Sequence, residues 1–130
     1  MAEPNIPTAP ADAVPELALA LNALDELKGR DLRLLDVRPL TALTDWMLLC
    51  TGTSNRHVKS LADNLIQSAK QAGHQPSGVE GMDQAEWVLV DLGGVVVHIM
   101  QAQTRAFYQL EKLWTGMDGD TAQDADAAAE

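Results

Sequence analysis

Residues 86–100 read Glu86-Trp87-Val88-Leu89-Val90-Asp91-Leu92-Gly93-Gly94-Val95-Val96-Val97-His98-Ile99-Met100. Two runs of mainly aliphatic residues flank a Gly-Gly pair, which is the pattern of a β-hairpin with a two-residue turn. Both turn positions are expected to need positive φ, which glycine adopts without steric cost. With Gly93 and Gly94 as the turn, the predicted register pairs Leu92 with Val95, Val90 with Val97, and Val88 with Ile99.

The two faces of this predicted hairpin differ in composition, because successive side chains of a strand point to opposite sides. One face is wholly aliphatic and is typical of a core. The other, called the mixed face below, carries Trp87, Leu89, Asp91, Val96, His98 and Met100. A face with large apolar anchors and a few polar groups favours protein binding. The alternative is that a second layer of helix covers the mixed face and makes it core.

Composition limits the class of protein. The chain has 130 residues, enough for one domain with a sizeable core. It has no apolar run long enough to span a membrane and no secretory signal pattern at its N-terminus. The single cysteine, Cys50, has no internal disulfide partner, which indicates a reducing, cytoplasmic compartment. We interpret Cys50 as a small buried hydrophobic residue rather than a nucleophile.

Negative charge is concentrated in two parts of the chain, whose formal net charge is −10. Residues 115–130 hold five Asp or Glu residues and no Lys or Arg. Residues 80–100 hold Glu80, Asp83, Glu86 and Asp91, again without Lys or Arg. The hairpin region is therefore predicted to attract a basic protein partner and to repel bare phosphate.

Three segments are expected along the chain. Residues 1–13 are rich in Pro and Ala without periodicity and are predicted to be a disordered leader. Residues 115–130 are predicted to be an acidic disordered tail. The domain is expected to span residues 14–114.

The elements between these ends predict an α/β domain with a mixed sheet of about five strands covered by helices. Helices are predicted over Pro15–Lys28, Ser54–Ala72 and Gln101–Trp114, the last with Ala106, Phe107, Leu110, Leu113 and Trp114 facing inward. Strands are predicted over Leu32–Val37 and Asp45–Thr51, with a loop or short strand at Gln75–Gly81 before the hairpin. Gly29 and Gly73 are expected to close the first two helices.

A candidate anion site lies where the second strand meets the second helix. Gly52, Thr53, Ser54 and Arg56, followed by His57, form a small-residue turn at a helix N-terminus. Free amides and the helix dipole attract anions at such a place. The alternative is that Ser54 or Thr53 only caps the helix.

Catalytic patterns are weak. Nucleotidyl transfer needs closely spaced carboxylates to hold metal ions, and the predicted domain has no Asp-X-Asp. His57, His74 and His98 have no spacing that indicates a metal site. His98 is expected either to contact a partner or to pair with Asp91 across the hairpin. We therefore expect no enzyme activity and no cofactor.

Five separated motifs resemble the Iojap family of ribosomal silencing factors. They are Ala42-Leu43-Thr44-Asp45-Trp46-Met47-Leu48-Leu49-Cys50-Thr51-Gly52-Thr53-Ser54-Asn55-Arg56-His57-Val58, Gly78-Val79-Glu80-Gly81, Glu86-Trp87-Val88-Leu89-Val90-Asp91-Leu92-Gly93, Val97-His98-Ile99-Met100 and Tyr108-Gln109-Leu110-Glu111-Lys112-Leu113-Trp114. The resemblance implies a nucleotidyltransferase-like fold without the catalytic carboxylates.

The same resemblance implies a function. Family members bind the large ribosomal subunit through its fourteenth ribosomal protein, block joining of the small subunit and repress translation when nutrients are limiting. They bind through the sheet face that here centres on Trp87, with Glu86 at its rim. Adjacent ribosomal RNA is a possible further contact, and the same face could pair two copies of the protein. Two alternatives stay open, a nucleotidyltransferase-like enzyme and an RNA-binding module that uses Arg30, Arg33, Arg38, Arg56 and Lys59.

Overall fold

The computed structural model describes Pro7, Ala9, Pro10, residues 13–110 and Lys112. Its elements in chain order are α1 (Pro15–Glu26), β1 (Arg30–Asp36), β2 (Trp46–Gly52), α2 (Asn55–Gln71), β3 (Gly78–Glu80), β4 (Trp87–Asp91), β5 (Val95–Gln101) and α3 (Ala102–Tyr108). Ala9 and Ala13, at positions of the predicted leader, pack against the core. Residues 1–6, 8, 11 and 12 of that leader and the predicted tail lie outside the described residues, as do Leu113 and Trp114.

The strands form one five-stranded sheet in the order β1-β2-β5-β4-β3. The central pair, β2 and β5, is parallel, and the other three pairs are antiparallel. The predicted mixed sheet of an α/β domain is thereby confirmed. All seven residues of β2 are buried because β2 lies between β1 and β5 and has packed side chains on both faces.

The predicted hairpin register is confirmed. Val88 pairs with Ile99 and Val90 with Val97, and the N–H of Leu92 donates to the carbonyl of Val95. The expectation of positive φ at both glycines is wrong, because only Gly93 has it, at 93°. Gly94 has another reason to lack a side chain, since a Cβ there would lie 2.8 Å from a methyl of Val14.

The main core lies between the aliphatic face of the hairpin and helices α1 and α2. It includes Leu17, Leu24, Leu61, Leu65, Val88, Val90, Val97 and Ile99. Gly73 closes α2 with φ of 86°, as predicted. At the end of α1, Lys28 rather than Gly29 takes the left-handed conformation, at φ 60°. Gly29 instead allows close approach, since a Cβ would lie 2.5 Å from Sγ of Cys50.

The opposite side of the sheet is only partly covered. A small cluster of Leu35, Val37, Met47, Leu49 and Met100 is buried there, with Trp87 and Leu110 packed against it. Neither α1 nor α2 reaches this side, so among the described residues no full helix layer makes it core.

The prediction for the last helix is wrong in its orientation. Phe107 is 77% exposed and Ala106 is also exposed, and no residue of α3 is buried. The helix ends at Tyr108 because Gln109 adopts the left-handed conformation, with φ 49° and ψ 46°. Leu110 is the one predicted inward residue that packs against the sheet among those described.

Candidate protein-binding face

The six residues predicted for the mixed face share one side of the sheet. Directly opposed strand residues point the same way, and the register pairs Trp87 with Met100, Leu89 with His98, and Asp91 with Val96. Glu80 on β3 pairs with Leu89 and extends this side to the edge of the sheet. The placement predicted from strand alternation is therefore correct.

Accessibility divides the predicted contact residues into two groups. Trp87, Leu89, Asp91 and Val96 are partly exposed, and Glu86 beside them is exposed. His98 is only 5% exposed and Met100 is 0% exposed. The expectation that these two contact a partner directly is therefore corrected: Met100 belongs to the buried cluster with Leu49, and His98 lies beside Leu49 of β2. They support the face from beneath.

His98 fixes the position of Trp87. The indole Nε1–H of Trp87 donates a hydrogen bond of 3.0 Å to Nδ1 of His98. Burial lowers the pKa of His98 to about 4, so the ring is neutral near pH 7 and Nδ1 can accept. The alternative in which His98 pairs with Asp91 is wrong, since Nδ1 of His98 accepts from Trp87 and Asp91 accepts from the backbone N–H of Gly93 at 2.9 Å.

Two aromatic residues that the sequence interpretation missed extend this face. The ring centroid of Tyr108 lies 4.9 Å from that of Trp87, and Phe107 packs edge-on against Tyr108, also at 4.9 Å. Tyr108 is 52% exposed. We call Trp87, Phe107 and Tyr108 the aromatic cluster. No local signal in the sequence indicates this cluster, because Tyr108 and Trp87 are 21 residues apart and meet only through the packing of α3 beside β4.

Two shallow grooves border the aromatic cluster, and Glu86 lines both. The first, of about 530 Å³, lies along Trp87 and is acidic, with Glu80, Asp83 and Glu86 in its walls. The second, of about 570 Å³, lies along Phe107 and Tyr108 and is lined by the amide side chains of Asn55, Gln101 and Gln103. Among the described residues no Lys or Arg lines either groove.

The candidate anion site has the geometry of a helix cap. Oγ of Ser54 accepts from the N–H of His57 at 3.1 Å. The ring of His57 accepts from the N–H of Thr53 through Nδ1 and reaches the carbonyl of Leu27 through Nε2. A Cβ on Gly52 would lie 2.7 Å from a methyl of Val58, so this glycine lets α2 pack closely on β2. These contacts explain the conformation of the turn between β2 and α2 without a bound anion. Arg56, the charged residue of the predicted anion site, is exposed.

The groups considered for chemistry are dispersed. Burial raises the pKa of the Cys50 thiol to about 12, which agrees with its interpretation as a buried hydrophobic residue. Within the described ranges, no three His, Cys, Asp or Glu side chains are grouped so that they could hold a metal ion. In the same residues, no helix has the length and apolar character needed to cross a membrane.

The fold and the mixed face together define a small α/β domain with an exposed aromatic cluster beside an acidic groove. Such a combination is suited to binding another macromolecule.

Comparisons with known proteins identify the family. The family model described as ribosomal silencing factor during starvation, RsfS, matches residues 10–130. The ribosomal silencing factor RsfS of Haemophilus influenzae is 52% identical over 94 residues, which cover 72% of this chain and 92% of that protein. A crystal structure of a Chromobacterium violaceum protein has a TM-score of 0.75 at 45% identity, covering 76% of this chain and 82% of that one. The chain therefore belongs to the RsfS family.

A more distant relative has a related name. The mouse protein called mitochondrial assembly of ribosomal large subunit protein 1 is 32% identical over 103 residues, which cover 77% of this chain and 45% of that protein.

Proposed function

We propose that this protein is a cytoplasmic ribosomal silencing factor. It binds the large ribosomal subunit through the fourteenth ribosomal protein and blocks joining of the small subunit, so that translation falls when nutrients are limiting. The names of the bacterial relatives support the ribosome as the target, and the name of the mouse relative supports its large subunit. The observation that carries the proposal is the exposed aromatic cluster next to the acidic groove.

The chemistry of the face suits a basic protein. Phe107 and Tyr108 present apolar area that is already in water, and Trp87 is held in place by His98. Aromatic side chains fixed in this way lose little entropy on binding and commonly dominate interface energies. Glu80, Asp83 and Glu86 would orient a basic partner and speed its encounter. The same acids disfavour bare RNA phosphate, which makes a protein contact the primary one.

The proposed mechanism needs occupancy and no chemical step. A bound domain excludes the small subunit from the surface that it covers. The nucleotidyltransferase-like fold without catalytic carboxylates stays part of this proposal. Asp91 accepts from the hairpin turn, and Asp45 precedes β2 without a paired acid in sequence, so neither is proposed to hold a metal ion. No catalytic residue and no cofactor enter the proposal.

The test compares two exposed apolar residues. Phe107→Ala removes a ring that is 77% exposed and should leave the fold intact, while Leu43→Ala removes a side chain that is 90% exposed in the loop before β2. We expect Phe107→Ala to weaken binding to purified large subunits by at least about tenfold, the equivalent of about 1.4 kcal/mol. Leu43→Ala should bind as the unaltered protein does.

Binding is measured by co-sedimentation with separated large subunits, and joining by sucrose-gradient profiles after small subunits are added. The proposal is wrong if the unaltered protein stays at the top of the gradient and the subunits join normally. The proposed face is wrong if the protein binds but Phe107→Ala binds equally well.

A further inference from the structure

The attachment of α3 to the sheet needs an explanation beyond apolar burial. None of its seven residues is buried, although it carries Phe107 and Tyr108 of the aromatic cluster. A short helix without a buried face has little intrinsic stability. Polar contacts must therefore contribute to its placement.

Arg105 makes contacts to two other elements. Its Nη1 donates to the backbone carbonyl of Asp31 at 2.7 Å and to Oγ1 of Thr51 at 2.8 Å. Thr51 is buried one residue before the end of β2, and Asp31 belongs to β1. One guanidinium nitrogen thus joins α3 to two neighbouring strands.

The backbone of β1 is shaped to provide the first acceptor. Asp31 has φ of 48°, an unusual value for a residue other than glycine. The register of β1 against β2 shifts between Arg30 and Arg33, which marks an irregularity of the β-bulge type. A bulge takes a residue out of the ladder and re-aims its groups, here the carbonyl that meets Arg105.

Helix geometry connects this contact to the aromatic cluster. Residues three apart lie on the same side of a helix, so fixing Arg105 also fixes the direction of Tyr108. The backbone carbonyl of Arg105 accepts from the N–H of Gln109 at 2.9 Å, which closes the last turn at Tyr108. The Tyr108 ring in turn contacts the rings of both Trp87 and Phe107.

We infer that Arg105 is a positioning residue for partner binding: by joining α3 to Asp31 and Thr51, it holds Tyr108 against Trp87 and thereby assembles the aromatic cluster. The effect on affinity rests on the proposed function, whereas the effect on the position of Tyr108 does not.

The composition of the chain makes the structural part directly measurable. The sequence contains one Tyr and one Phe, so ¹³C labelling of these amino acids gives aromatic NMR signals from Tyr108 and Phe107 alone. In the unaltered protein the Trp87 ring should displace the Tyr108 signals from the positions of the free amino acid. Arg105→Ala should move them back towards those positions, and Lys59→Ala, which alters an exposed base of α2, should leave them unchanged.

Two further variants separate positioning from general loss of structure. Thr51→Val removes one acceptor while keeping the shape of the side chain, and we expect a smaller displacement in the same direction. Arg105→Lys keeps the positive charge and one donating nitrogen. Its Tyr108 signals should lie between those of Arg105→Ala and those of the unaltered protein. Unchanged backbone amide signals from the β4–β5 hairpin would show that the sheet itself is intact.

Affinity provides the second measurement. Arg105→Ala should weaken large-subunit binding about as much as Phe107→Ala does, and the double variant should bind no worse than either alone. Unchanged Tyr108 signals in Arg105→Ala overturn the inference, and so do fully additive losses of affinity. If the signals move but the unaltered protein binds no subunit, the positional role of Arg105 stands and the proposed function fails.

Discussion

Acidification should destabilise this protein through His98. The pKa of this ring is about 4 in the folded chain, because of burial, against an ordinary value of 6.5. Between these values the unfolded chain binds a proton that the folded chain does not, so stability falls as pH falls from 6.5 towards 4. Protonation would also remove the acceptor that Nδ1 offers to Trp87.

The size of the effect follows from the two pKa values. A difference of one pKa unit between the folded and unfolded states corresponds to about 1.4 kcal/mol. The shift from 6.5 to about 4 therefore lowers the free energy of unfolding by roughly 3 kcal/mol across this pH range. This loss is a large part of the free energy of unfolding of a typical domain, which is ~5–15 kcal/mol. At 5% exposure, solvent screens little of it.

The assay is urea unfolding followed by circular dichroism at about pH 7 and about pH 4.5, for the unaltered chain and for His98→Asn. The Asn amide oxygen replaces Nδ1 as an acceptor but does not titrate in this range. His57 and His74 are present in both proteins, so their contributions cancel in the comparison. We expect the unaltered chain to lose about 2–3 kcal/mol more than the variant on acidification. Equal losses in the two proteins would refute the reasoning.

Two further predictions concern the turn between β2 and α2. Ser54→Ala should cost about 1 kcal/mol in urea unfolding, because the N–H of His57 loses its acceptor; a loss of stability that appears only in phosphate buffer would instead indicate an anion site. Gly52→Ala should cost about 1–3 kcal/mol, since the added methyl meets Val58 at 2.7 Å and 3.1 Å. Unchanged unfolding midpoints for Gly52→Ala would mean that α2 does not depend on this close packing.

Local chemistry was enough to predict much of the framework. Alternation along residues 86–100 determined the hairpin register and the face on which each side chain lies, because strand geometry has a fixed period of two. The helix pattern placed α2 to within one residue at each predicted end, with Ser54 as its cap. The acidic character of the hairpin region followed from Glu80, Asp83 and Glu86, which are close in sequence and line one groove.

The alternation of residues along a strand could not predict which other elements cover each face of the sheet. His98 and Met100 alternate with core residues as a surface pair would. Their burial depends on β2, which is distant in sequence and pairs with both of them. Likewise, Phe107 looked like an inward residue of a long helix until the left-handed Gln109 ended that helix.

The sequence alone determined the pairing within the hairpin, the division of its two faces, the two ends of α2 and the family resemblance, since each depends on neighbouring residues or short motifs. The tertiary structure alone decided that Trp87 bonds to His98, that Tyr108 packs on Trp87, and that Arg105 joins α3 to β1 and β2. These contacts join residues 11 to 74 positions apart. They depend on how separate elements pack, which no local periodicity encodes.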